Sequence, residues 1–167
     1  MASNACGGRR APTADPPLLI AAGRLKAGPE AALFAAWNAR LRPPFTVLEV
    51  PEGRGTPAEI RRREGAAMME ALPERGLAVA LDLGGEAPGS EDFARMVERW
   101  RGIGRRLAFL VGGAEGLDPA VLARAEARLS LGPMTWPHML VRALLAEQMF
   151  RAQAILSGHP YHRGWRP

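Results

Sequence analysis

The segment that most restricts the fold is Leu107-Ala108-Phe109-Leu110-Val111, which runs directly into Gly112-Gly113-Ala114-Glu115-Gly116. Five apolar residues are too few for a free-standing helix. Closed by glycines, they read as a buried strand that breaks into a turn where backbone must approach something closely. A second constrained stretch, Ser130-Leu131-Gly132-Pro133-Met134-Thr135-Trp136-Pro137-His138, feeds the most helical part of the chain, Met139 to Leu156. Glycines after a parallel strand suit a ligand, because open α/β sheets bind ligands beyond the carboxyl ends of their strands. On its own, a GGxxG turn is equally well explained by tight chain reversal.

The preceding chain supplies the partners such a strand needs. Leu18 to Ala22, closed by Gly23, reads as a first strand, and Gly28-Pro29-Glu30 opens a helix with proline in its first turn. Leu33, Phe34, Trp37 and Leu41 recur at helical spacing and are expected to form its buried face. Phe45 to Val50 is β-branched and apolar, a second strand. Thr56-Pro57-Ala58-Glu59 is a capping box opening a second helix, whose Arg61, Arg62 and Arg63 point to different sides. Leu77 to Leu83 is a third strand, followed by Gly84-Gly85 and an expected loop to Ser90. Ser90-Glu91-Asp92 is expected to cap a helix whose Phe93, Met96, Val97 and Trp100 share one face. Asp118-Pro119 caps a short helix, and Leu129-Ser130-Leu131 reads as a last short strand. Strands alternating with helices imply an α/β domain with a parallel sheet and helices on both faces.

Residues 1–17, rich in Ala, Gly, Pro, Ser and Asn, are expected to be a disordered extension. The net charge is +5, and Lys26 is the only lysine among 22 cationic residues, so arginine dominates. A basic chain suits a polyanionic partner, although a bias toward Arg, Ala, Gly and Pro accounts for the same balance. Cys6 is the single cysteine, which excludes a disulfide framework and a cysteine-based metal site. Residues 1–17 lack the apolar core of a signal peptide, and no run reaches the roughly 18 apolar residues of a membrane span. A soluble cytoplasmic protein is expected, without a membrane partner.

Several ordered motifs together carry a resemblance. Gly112 to Leu117, Leu129-Ser130-Leu131, Met134 to His138, Arg142, Glu147 to Ala152, and Pro160-Tyr161-His162-Arg163 closely resemble the RlmH family, over about Leu18 to Arg163. These are SPOUT-class methyltransferases that methylate N3 of a pseudouridine in 23S ribosomal RNA. The resemblance implies a single SPOUT-type domain over 18–163 with a C-terminal trefoil knot, followed by a short extension, 164–167. It further implies S-adenosyl-L-methionine as methyl donor and a homodimer acting on 23S rRNA in the assembled ribosome. By the same resemblance, Leu81, Gly112, Leu131, Gly132, Pro133, Met134, Thr135 and Trp136 contact the donor, and Tyr161, His162 and Arg163 sit at the active site. Arg54, Arg105, Arg142 and Arg163 would then meet phosphates across the dimer. Two positions depart from the family: Gly132 stands where relatives commonly have serine, and Phe150 where many have tyrosine.

Methyl transfer to a weakly acidic imide nitrogen is helped mainly by positioning, and by a base or cation favouring the imidate. His162 and His138 are the titratable candidates, while Arg142 and Arg163 could steady a developing oxyanion or hold phosphate. His159 and His162 lack acidic or sulfur company, so no metal is expected. Glu147 and Arg151, four apart on the last helix, could pair on its surface, but a structural or dimer role is expected for them, since the resemblance implies a homodimer with this helix in the interface. Two other readings of the residues stand beside this one. One is a noncatalytic RNA-binding module of the same fold. The other is a nucleotide-phosphate enzyme using the Gly112 turn, against which counts the lack of a Lys-Ser or Lys-Thr pair after the glycines.

Overall fold

In the computed structural model, residues 15–163 are described. Cys6, most of the expected N-terminal extension and the 164–167 extension with Trp165 lie outside them. Pro16 and Pro17, the end of that expected extension, are tied to the fold: Arg106 Nε donates to the Pro16 carbonyl at 2.9 Å, and Thr46 N to the Pro17 carbonyl at 2.9 Å.

Ten elements follow in the order β1 (Leu18–Ala22), α1 (Pro29–Asn38), β2 (Thr46–Val50), α2 (Pro57–Ala71), β3 (Leu77–Glu86), α3 (Ser90–Gly102), β4 (Leu107–Val111), α4 (Pro119–Arg124), β5 (Ala127–Leu129) and α5 (His138–Ser157). The five strands form one sheet in the order β2-β1-β4-β3-β5, and every pairing is parallel. Side chains alternate across it. Leu19, Ala21, Val79 and Phe109 meet Phe34 of α1, Phe93 of α3 and Met149 of α5 on one face. Leu18, Ile20, Ala80 and Leu110 meet Met68 of α2 and Val121 of α4 on the other. Handedness explains the division. Connections β1–β2 and β3–β4 move one way along the sheet, β2–β3 and β4–β5 the other, so right-handed crossovers place their helices on opposite faces.

Local signals hold at most boundaries. Thr56 and Glu59 close the capping box that starts α2, and Asp118 caps α4 through Ala120 N at 2.8 Å. Four expectations change. Leu33 is exposed, because α1 buries Phe34 and leans Trp37 toward α5. Ser90 does not cap α3; Gly89 does, in an extended conformation without a side-chain bond, and Glu91 and Asp92 meet the helix's positive end. Gly84 and Gly85 continue β3 rather than leaving it. A Cβ on Gly85 would stand 2.7 Å from the Arg128 carbonyl carbon and Leu129 N, so glycine lets β3 return against β5, where Leu81 and Glu86 both pair with Leu129. The last strand ends at Leu129, which leaves Ser130 and Leu131 to the loop.

Candidate active site

Adjacent strands β3 and β4 send their chains to opposite faces, β3 to α3 and β4 to α4. A crevice therefore opens at their carboxyl ends, the usual ligand position in such sheets. The loop after β5 folds over it. The result is a cleft of about 610 Å3 including its solvent-filled mouth, lined among others by Leu81, Asp82, Val111, Gly112, Gly113, Gly116, Ser130, Leu131, Gly132, Met134, Thr135, Trp136 and His138.

Backbone shape dominates the site. A Cβ at Gly112 would stand 2.7 Å from the Gly116 carbonyl carbon and 3.0 Å from Leu117 N, so only glycine lets this turn fold back so tightly. Gly132 has φ +108°, a conformation that L side chains rarely adopt. A serine at this position, as the resemblance leads one to expect, would strain the bend seen here. Ser130, nearly buried, holds the bend by donating from Oγ to the Gly132 carbonyl at 2.9 Å and accepting from Gly132 N at 3.2 Å. Asp82 Oδ2 accepts from Gly84 N at 3.2 Å. The indole Nε1 of Trp136 is buried with no partner, a donor free for a bound molecule.

Of the eight residues expected at the donor, seven line this cleft; Pro133 lines an adjoining hollow that shares Ser130, Leu131, Gly132 and Trp136 with it. His138, the first residue of α5, lines the cleft as well. The other four expected residues lie elsewhere. Arg142 is fully buried. Its Nη1 donates to Glu49 Oε1 at 3.0 Å, and its Nη2 to the Ala22 and Gly23 carbonyls at 2.6 and 2.8 Å. Burial pulls its pKa below the ordinary arginine value and Glu49 opposes the shift. A guanidinium so enclosed ties strand ends together and has no access to a phosphate or an oxyanion.

The tail packs back on its own domain. Tyr161 stacks edge-on against Trp37 and Phe150, with centroids 5.7 and 4.9 Å away, and donates from its hydroxyl to Glu147 Oε1 at 2.7 Å. Burial raises its pKa, and the Glu147 bond adds to the rise. Arg151 pairs with the same carboxylate, as the spacing allows. His162 Nε2 lies 3.8 Å from Glu91 Oε1, its two ring nitrogens buried without hydrogen bonds, and Arg163 is exposed. Glu147, which holds Tyr161, is nine residues along α5 from His138, roughly 14 Å at helical rise, while Glu91 beside His162 follows Ser90, which lines the adjoining hollow.

Sequence reasoning missed Asp82, Ser130 and Gly113 of the lining, and Glu64 beneath it. Asp82 had a signal, an acid directly after the apolar run of β3. Glu64, 4% exposed, had none: its Oε1 accepts from Gly53 N at 3.0 Å and its Oε2 from Gly113 N at 3.3 Å. Among the described residues no group of three His, Cys, Asp or Glu side chains gathers to hold a metal, and no helix is long and apolar enough to cross a membrane.

An apolar wall, exposed backbone groups and one unpartnered indole donor fit a flat heteroaromatic ligand with a short polar tail. Comparison with known proteins shows the family. Residues 18–162 match the family model described as predicted SPOUT methyltransferase. The chain is similar to Ribosomal RNA large subunit methyltransferase H of Gluconacetobacter diazotrophicus, 63% identical over 149 residues that cover 89% of this chain and 98% of that one. It is also similar to the protein of that name from Acidiphilium cryptum, 55% identical over 89% of this chain and 94% of the relative. Among solved structures, TrmJ from Z. mobilis ZM4 superposes with TM-score 0.52 at 14% identity, covering 83% of this chain and 70% of that one. A probable methylase family protein from Haemophilus influenzae Rd KW20 gives 0.57 at 11%, covering 93% and 73%. At those identities the likeness is one of fold alone.

Proposed function

This chain belongs to the SPOUT methyltransferase family, and on that premise we propose that it moves a methyl group from S-adenosyl-L-methionine to N3 of a pseudouridine in 23S ribosomal RNA of the assembled ribosome. Relatives more than half identical over nearly their whole length bear the name of a ribosomal RNA large subunit methyltransferase. The single observation that carries the reading is the cleft beyond β3, β4 and β5, whose lining takes in seven of the eight residues expected at the donor.

The residues divide the work as follows. Leu81, Val111 and Leu129 form the apolar wall for an adenine ring, and the backbone of 131–136 offers its edge donors and acceptors. Asp82 accepts from ribose hydroxyls. Trp136 Nε1 donates to the ligand, and Gly112 lets the chain approach without a Cβ. Bound there, the donor would supply a methyl group on a sulfonium, open to displacement by a nitrogen. His138 on the lining takes the N3 proton as that nitrogen attacks, a role its place at the cleft, at the start of α5, allows.

Tyr161, His162 and Arg163 come to the cleft from a second copy. Support for this is that Tyr161 is tied to Glu147, about 14 Å along α5 from the His138 of its own copy. A homodimer, the C-terminal trefoil knot and a cytoplasmic location complete the proposal. Mass mapping of 23S rRNA from cells lacking the protein tests it, with loss of one methylpseudouridine expected. An unchanged methylpseudouridine signal would sink the activity. Calorimetry with S-adenosyl-L-methionine then separates a methyltransferase from a noncatalytic RNA-binding module, since the module leaves the titration flat.

A further inference from the structure

The carboxyl ends of the strands lie in a row, β2-β1-β4-β3-β5, and that edge has two halves. The loops after β4, β3 and β5 build the donor cleft. The loops after β2 and β1 carry Arg54, Arg24 and Lys26, all exposed. Arg54 shares a shallow groove, about 600 Å3 with its open solvent included, with Arg63 of α2, and Glu52, Gly53 and Ala67 also line it. Among the described residues neither Arg54 nor Arg63 makes a hydrogen bond or an ion pair, although Arg63 stands near enough to add a little to the lowering of the Glu59 pKa that the Thr56 hydrogen bonds chiefly cause.

The loop presenting Arg54 is held firmly. A Cβ on Gly53 would stand 2.8 Å from Ile60 Cα, so the loop lies flush on α2, and the Thr56–Glu59 capping box closes its other end. Groove and cleft also share a buried support. One oxygen of Glu64 takes Gly53 N from the groove and the other takes Gly113 N from the cleft lining. The two sites are thus one carboxylate apart. Arginines at the opposite end of the sheet are otherwise engaged. Arg105 binds the Arg75 and Gly76 carbonyls and Glu126; Arg106 binds the Pro16 carbonyl and Thr46.

We propose that the Arg54–Arg63 groove is the subsite that grips the phosphate backbone of the RNA strand flanking the nucleotide in the cleft. The assignment rests on the function proposed above. Guanidinium forks suit phosphate oxygens, and a firmly held loop loses little freedom on binding. Phosphate contacts of this sort set position and register without reading sequence.

The test compares R54A/R63A with R99A/R101A, which removes the same charge from α3, and with R54K/R63K. Binding of a short fluorescent oligouridylate is followed across salt, methyl transfer to ribosomes from cells lacking the protein is assayed, and donor affinity is titrated. The alanine pair at the groove is expected to flatten the log K against log salt slope by about 1.4, two contacts at roughly 0.7 each for a single strand. It should raise KM for ribosomes at least about tenfold, with kcat and donor affinity within about twofold. The lysine pair should recover most of the slope. Equal behaviour of the groove and α3 pairs overturns the subsite. So does polyglutamate competing with oligouridylate as well as RNA does. A slope difference between the groove pair and a wild type that methylates nothing overturns the functional reading while leaving the subsite standing.

Discussion

Of the crevices along the carboxyl edge of this sheet, the one between β1 and β2 and the one between β3 and β4 have opposite fates. Between β1 and β2, whose chains depart to α1 and α2 on opposite faces, the side chain of Arg142 descends from α5 and binds the Ala22 and Gly23 carbonyls and Glu49. Between β3 and β4, His138 and Val141 of the same helix line the gap without an ion pair that plugs it. There the walls are glycine backbone, apolar strand ends and an indole N–H without a partner. The same topology yields a plugged crevice and an open one, and the difference is a single long side chain reaching in from the last helix. Openness on such an edge is therefore set by what the following helix carries at that point, and the sheet alone does not decide it.

Breaking the plug has the largest expected effect. Arg142→Met keeps the volume but takes the guanidinium donor from the Ala22 and Gly23 carbonyls, while Glu49 stays partly exposed and keeps Leu25 N; the loss is about 1–3 kcal/mol of unfolding free energy for each carbonyl left unsatisfied. Urea denaturation measures it. If Arg142 served the chemistry instead, the midpoint would stay and only kcat would fall. Closing the open crevice comes next. In Gly112→Ala the new methyl meets Gly116 and Leu117 backbone at 2.7–3.0 Å, atoms with no rotamer to escape through. The turn has to open, at about 1–3 kcal/mol of overpacking strain. Thermal melts are expected to read this loss, and calorimetry a larger loss of donor affinity.

The sheet and the open crevice were legible in the sequence because their signals are local. Leu107–Val111, Leu77 onward and the Thr56 box each declare themselves within a few residues. Apart from Leu81 on β3, the residues expected at a donor sit in two short contiguous loops, and that expectation comes from the family resemblance more than from spacing. The plug was not legible. Arg142 finds its partners 93 to 120 residues away, and a basic residue on a helix gives no sign of the carbonyls waiting for it. Glu64 fails in the same way, since its two glycine partners lie in different loops. Leu33 shows the converse error: helical spacing was right, but the helix leans so that the neighbouring Phe34 is the one buried.

A smaller effect sharpens what the open crevice is for. Trp136→Phe removes only the indole N–H, which in the free protein is buried without a partner. The folded protein therefore loses no hydrogen bond, and its melting temperature is expected to hold or rise slightly. In the complex the same change removes a donor the ligand would use, about 0.5–1.5 kcal/mol of affinity. Calorimetry with S-adenosyl-L-methionine on both proteins would detect it. Equal affinities would mean that the indole N–H faces no polar atom of the ligand.

The smallest effect lies at the far end of the sheet, where neither crevice reaches. Glu126 accepts from Ala78 N at 2.7 Å and pairs with Arg105 and Arg124. Burial works to raise its pKa, but the Ala78 hydrogen bond and Arg105 outweigh it, and the carboxyl ends below its ordinary value. A group depressed on folding stabilises the protein above its unfolded pKa, and that contribution fades as pH falls through the folded value. Its side chain is about one third exposed, 34%, so solvent screening keeps the whole contribution to roughly 1 kcal/mol or less. Glu126→Gln should lower stability slightly at pH 7 and match the parent near pH 3, in denaturation curves taken across that range. The donor cleft, most of a strand length away, should bind with unchanged affinity throughout. A shift in donor binding here would mean that the two ends of the sheet are mechanically coupled, and the contrast between the crevices would then belong to the whole sheet instead of to Arg142.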